Sequence, residues 1–198
     1  EILAEGGLGG ERLFDRLFAP LVAAGSGAMT MTLVGAPSFA IDLPPYDPSG
    51  WDLLSAPLIA IASALLIAIG ALLLPVAHRA FHSISSPVAA LSLGGLVLGV
   101  LGAAGGEVTL FKGLEEMQEL ADTADERTWA GLLLVAAIKV AALLTATAVG
   151  FRGGRIFPSV FIGVAVGLAT TALIPAIPAT VAVGAATMGA VIAIDRDG

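Results

Sequence analysis

The sequence predicts an all-α, polytopic membrane protein. Three observations lead there. Of 198 residues, 57% are hydrophobic and 13% are charged, with a mean hydropathy of +0.96. Soluble domains carry roughly 45–50% apolar and about 25% charged residues, so the balance here is that of a chain dissolved in lipid. The apolar residues gather into six stretches close to the roughly 20 needed to cross the hydrocarbon core. Glycine is abundant, at 25 residues, as suits close-packed membrane helices. The same arithmetic excludes other classes. A net charge of −7 opposes binding to phosphate backbones, so no nucleic-acid partner is expected. Without cysteine there is no disulfide, thiolate metal site or thiol nucleophile. Without asparagine there is no N-glycosylation site.

The stretches lie near residues 17–35, 53–77, 86–104, 129–149, 157–175 and 178–194. The second and fourth are the longest and richest in Leu, Ile and Ala. The fifth and sixth are short, and the turn Ile174-Pro175-Ala176-Ile177-Pro178 between them suggests a pair of half-helices. The first and second are joined by Gly35-Ala36-Pro37-Ser38 and Leu43-Pro44-Pro45-Tyr46-Asp47-Pro48, an ordered non-helical loop because proline removes donors and fixes the backbone. The sequence also reads as a piece of a longer chain, since it opens at Glu1 without methionine or a signal segment.

The loops alternate in charge. Arg12 and Arg16, then Arg79, then Arg152 and Arg155 fall on one side, opposite the acidic loops holding Asp42, Asp47 and Asp52 and residues 105–128. Basic residues favour the cytoplasmic face, which places the amino-terminal segment inside. His78 and His82 stand at i, i+4 in the loop after the second span, spacing that resembles a zinc-binding pair. Arg79 replaces the glutamate that would act as base, and no metal site is expected there. In residues 109–121, Leu110, Leu114, Met117 and Ala121 recur at helical spacing and Lys112 can pair with Glu115 and Glu116, a pattern for a short interfacial helix. Gly25-Ser26-Gly27 and the pairs Gly95/Gly99 and Gly163/Gly167 read as helix contacts.

The segment with the most chemistry is Gly150-Phe151-Arg152-Gly153-Gly154-Arg155-Ile156-Phe157-Pro158. Three glycines after one strong span do not continue a helix, and non-helical backbone at membrane depth persists only inside protein or along a wet cavity. Pro158 suits the first turn of a new helix. The N–H groups around Arg155, Ile156 and Phe157 then lack helical partners and stand at a positive dipole end, where an anion binds favourably. Broken helices of this kind hold ions in many transporters. The alternative is an ordinary loop with Arg152 and Arg155 as interface anchors.

The run Gly154-Arg155-Ile156-Phe157-Pro158, with Gly163 five residues later, resembles the G-x-F-x-P segment of the CLC chloride channels and proton-coupled chloride antiporters. Lys139, fifteen residues before Gly154, stands where that family often has a basic residue, and Lys139 through Thr145, Thr147 and Gly150 is similar to its K-x-x-A-T-x-x-T-x-G-S-G pattern. Val183-Gly184-Ala185-Ala186-Thr187-Met188-Gly189 is similar to its G-M-A-A segment. The resemblance implies a partial CLC-type inverted-repeat fold with broken helices, forming a single partial transmembrane domain over residues 1–198. Residues 1–35 would end the first repeat and 51–198 would make most of the early second.

It further implies transport of chloride or a similar anion, as a channel or an antiporter. Gly154, Arg155, Ile156, Phe157 and Pro158 would form the anion site, with backbone amides of Arg155 and Ile156 as donors. Lys139 and Arg152 would set the field. No cofactor, metal or catalytic residue is implied. The partners would be the lipid bilayer of a bacterial inner membrane and a second copy in a homodimer, whose contacts would include residues 17–35. The chain departs from the family in placing Ile156 where phenylalanine is usual and Arg155 where a small or apolar residue is usual, which marks a divergent, bacterial branch. The guanidinium of Arg155 either attracts the anion or blocks its path. The family's G-S-G-x-P turn, gating-glutamate motif and inner-gate tyrosine have no counterpart between Glu1 and Gly198. Lys139 has two readings: a charge facing an aqueous vestibule, or a structural ammonium held by carbonyls or hydroxyls such as that of Thr145. Two rivals from other classes are a non-transporting membrane scaffold and an intramembrane metal enzyme built on His78 and His82.

Overall fold

The computed structural model describes residues 13–34, 41–110 and 114–195. Every long element is helical: α1 (Leu13–Val34), α2 (Asp52–His82), α3 (Pro87–Gly105), α4 (Leu114–Asp122), α5 (Trp129–Val149), α6 (Ile156–Leu173) and α7 (Ala179–Asp195). Single 3-10 turns occupy Glu107–Thr109 and Ala124–Glu126. The chain divides into two units, Glu1–Ala40 and Ile41–Asp197. In the first, α1 runs unbroken through Gly25-Ser26-Gly27, with the Ser26 hydroxyl donating to Ala23 O at 3.1 Å. These residues are helix, not a turn.

The second unit is organised around α6. Its residues Phe161 to Ala169 are buried without interruption, the pattern of a helix apolar all round and enclosed by others. Helix α7 packs along it, α5 lies on another side and α4 caps part of it. Gly163 and Gly167 make the α6–α7 approach possible. A Cβ at Gly163 would overlap Thr187 Cα and one at Gly167 would overlap Val183 Cα, so backbone meets backbone there. The expected helix contact is therefore present. Gly95 and Gly99 are different: nothing lies within 4 Å of where their side chains would be. The face of α3 that touches α5 instead carries Gly94, against Val149.

Among the described residues four helices have the length and apolarity to cross a membrane: α2, α3, α5 and α6. Helix α7 is also apolar but one residue shorter than α6, at 17 against 18. At 1.5 Å per residue each spans roughly 26–27 Å, a little short of the roughly 30 Å hydrocarbon core. The bend between them is held by Ile177 N donating to Ile174 O at 3.0 Å. Helix α2 outruns its expected stretch, 31 residues against 53–77, because it continues through the polar residues that end the apolar run, and it also holds Pro57 and Pro75 within it. His78, Arg79 and His82 consequently lie in its last turns and not in a loop.

Local sequence explains where the helices begin. Thr128 caps α5, its hydroxyl accepting from Gly131 N at 3.1 Å, and Ser86 caps α3 ahead of Pro87. The expected ordered loop is present over residues 41–50. It is fixed by Gln118 Oε1, which accepts from Asp42 N at 3.0 Å, and by the Thr180 hydroxyl, which donates to Pro44 O at 2.6 Å. Residues 35–38 lie outside the described residues. The expected helix over 109–121 is shifted to 114–122, because Leu110 follows the 3-10 turn in extended backbone. Its Met117 and Leu120 are fully buried in the core, so α4 is a packed element and not only an interfacial one. Lys112 lies outside the described residues.

Candidate functional site

The site begins with the end of α5. Gly150 adopts φ +90°, ψ 21°, the left-handed conformation that favours glycine, and Phe151 N donates to Ala146 O at 2.9 Å. That pairing closes the helix in a Schellman turn. Residues 151–154 continue as non-helical backbone, and α6 starts at Ile156. The first helical bond of α6 runs from Ser159 N to Arg155 O at 3.2 Å, reinforced by the Ser159 hydroxyl at 2.8 Å. The amides of Arg155 and Ile156 precede that bond, at the positive end of an 18-residue helix.

This break faces a cleft of about 320 Å³ between α3, α5 and the start of α6. Lys139, Arg152, Gly154, Arg155 and Pro158 all line it. The fold thus gathers residues that the sequence spreads over twenty positions. Ile156 and Phe157 are half-buried in the first turn of α6 and do not line the cleft. Its remaining walls are largely apolar, among them Leu98, Leu101, Ile138 and Leu143, with Thr109 and Thr147 as the neutral polar groups. Among the described residues no Asp or Glu lines it. The guanidinium groups of Arg152 and Arg155 make no hydrogen bond or ion pair with any described residue.

Lys139 is 4% exposed, although it stands in a membrane helix. Its ammonium donates to Thr109 O at 2.8 Å and to Leu110 O at 3.3 Å, and lies 4.7 Å from the centre of the Phe161 ring. A buried cation held by carbonyls and an aromatic face keeps its charge compensated. Of the acceptors anticipated, carbonyls take this role, while the Thr145 hydroxyl donates to Ala141 O at 2.8 Å. The same ammonium also borders the cleft. Sequence reasoning missed Thr109 and Leu110, thirty positions away. The signal was Gly105-Gly106: Gly106 at φ +77° ends α3, and a Cβ on Gly105 would press on the Thr109 side chain. The two glycines let the 3-10 turn fold back until its carbonyls reach Lys139.

The histidine pair is on one helix face, as its spacing implies. The rings of His78 and His82 stack at 3.8 Å, and His82 Nδ1 lies 3.0 Å from His78 O. Among the described residues no three His, Cys, Asp or Glu converge as metal ligands.

Fold and site together define a multi-pass membrane protein whose interrupted helix opens onto a cation-lined cleft. Its sequence matches the voltage gated chloride channel family over residues 10–194. The chain belongs to that family, a family of channels and not of enzymes. It is 44% identical over 190 residues to proteins named "Putative ion-transport protein YfeO" from Escherichia coli O1:K1, K12 and O157:H7. The match covers 94% of this chain and 44% of each of those proteins, so the chain spans less than half the length of the curated relatives it matches. No solved structure matches it.

Proposed function

We propose that this chain supplies part of a transmembrane pathway for chloride or a similar anion, with the cleft at Gly154–Pro158 as an anion site. One observation carries the reading: three cationic side chains, Lys139, Arg152 and Arg155, border a cleft that no described carboxylate lines. A charge inside a membrane is expensive unless paired. Lys139 has its carbonyls, whereas the two guanidinium groups have no such partner among the described residues. A mobile anion supplies the missing charge. The amides of Arg155 and Ile156 at the helix start add oriented donors, which hold a dehydrated anion without requiring a particular side chain. The cations attract it into the cleft from water, and their number sets the depth of that attraction.

In the same reading, residues 1–35 close the first inverted repeat and 51–198 build most of the early second. The full-length protein works as a homodimer in a bacterial inner membrane. Chloride efflux from liposomes carrying the full-length protein tests the function. Efflux above that of empty liposomes is expected. Arg152→Ala removes an exposed side chain at little structural cost and raises the chloride concentration for half-maximal efflux about tenfold, roughly the effect of 1.4 kcal/mol. Efflux no faster than that of empty liposomes refutes the transport reading and favours a scaffold.

A further inference from the structure

A second cavity of about 70 Å³ lies between α2 and α5, and Leu143, Thr147 and Arg155 line both it and the larger cleft. These three side chains form the partition between two compartments. Two of them are fixed. Leu143 and Thr147 sit inside α5, and the Thr147 hydroxyl is engaged with Leu143 O at 2.8 Å. Arg155 is different: it stands at the helical break, is half-buried, and its guanidinium has no hydrogen bond or ion pair with a described residue. Its long side chain has several rotatable bonds, and the neighbouring compartments differ sharply. The larger cleft offers Lys139 and Arg152 as co-ligands for an anion, while the smaller is walled by apolar groups such as Ile67, Leu74 and Val140.

We propose that Arg155 is a movable charged barrier between the two compartments, which retains an anion in the larger cleft and limits its passage into the smaller. The inference rests on the anion-pathway reading above and settles what the guanidinium does within it. With an anion in the cleft, the guanidinium turns toward that charge and the partition stays closed. Passage requires the guanidinium to move aside, which separates it from the anion. Attraction and obstruction are therefore two effects of one group. Removing it weakens retention and speeds passage together, a combination that a purely structural residue does not produce.

The experiment is chloride efflux from liposomes holding the full-length protein, measured over a range of chloride concentrations. Arg155→Ala is expected to raise the half-saturating concentration about tenfold through loss of one unit charge and to raise the maximal rate. Arg155→Lys is expected to keep the half-saturating concentration within about threefold, since the charge remains. If Arg155→Ala fails to fold, Arg155→Cys serves, in full-length protein from which any cysteine outside these cysteine-free 198 residues has been replaced. A cationic methanethiosulfonate adduct is expected to restore tight retention, and a neutral methyl adduct is not. Unchanged half-saturation and maximal rate in Arg155→Ala overturn the barrier but leave the pathway standing. So does an equal loss of rate in the alanine and lysine variants, or equal behaviour of the two adducts. A wild type without chloride efflux overturns both readings.

Discussion

Gly189→Val is expected to unfold the second unit more severely than any surface change. A Cβ at Gly189 would overlap the carbonyl oxygen of Ala60 in α2, with Ala60 C and Cα close behind. All three are backbone atoms, so no rotamer relieves the overlap. Helix α7 has to move off α2, and the same displacement pulls Thr187 and Val183 away from Gly163 and Gly167 on α6. Overpacking of this kind costs about 3 kcal/mol, the upper end of the usual range. The expected result is a large fall in thermal midpoint and in monodispersity in detergent. Gly184→Ala is the control on the same helix, because nothing lies within 4 Å of its added methyl group. It is expected to leave the midpoint unchanged or slightly raised, as alanine is the better helix former. Similar behaviour of the two variants contradicts the packing account.

Lys139→Met is expected to damage stability and anion affinity at once. Methionine approximates the length of lysine but donates nothing, so Thr109 O and Leu110 O lose the ammonium that satisfies them. Leaving buried acceptors without a donor costs about 1–3 kcal/mol. The contact with the Phe161 face is lost as a charge interaction, which adds about 0.5–2 kcal/mol. One of three cations also disappears from the cleft. The half-saturating chloride concentration therefore rises about tenfold while the thermal midpoint falls. Lys139→Arg keeps the charge and is expected to retain more affinity than Lys139→Met. A variant Lys139→Met with unaltered midpoint and half-saturation removes Lys139 from both roles.

Much of this architecture was legible because lipid imposes a simple rule, that each span satisfies its own backbone. Apolar length alone located α2, α3, α5, α6 and α7 to within a few residues, apart from the extension of α2. That extension was hidden because His78, Arg79 and His82 end the apolar run after residue 77, although the helix continues through them. The break at Gly150–Arg155 was legible from its glycines and charges. Which partners those charges meet was not. Lys139 finds its carbonyls across thirty positions of sequence, through a chain reversal set by Gly105-Gly106. The contrast between Gly163/Gly167 and Gly95/Gly99 was equally hidden, since identical spacing carries no information about which face of a helix meets a neighbour. Nor does spacing reveal that Arg155 borders two cavities, a property of the whole packing.

An anion seen in the cleft at the start of α6 would support the proposed pathway most directly. Bromide replaces chloride in size and charge and scatters anomalously, so crystals of the full-length protein grown in bromide report the site directly. An anomalous peak is expected within hydrogen-bonding distance of the Arg155 and Ile156 amides, on the side of the cleft bordered by Lys139 and Arg152, and lost in Arg152→Ala/Arg155→Ala. An ordered cleft with no peak there, in crystals that show bromide elsewhere, contradicts it.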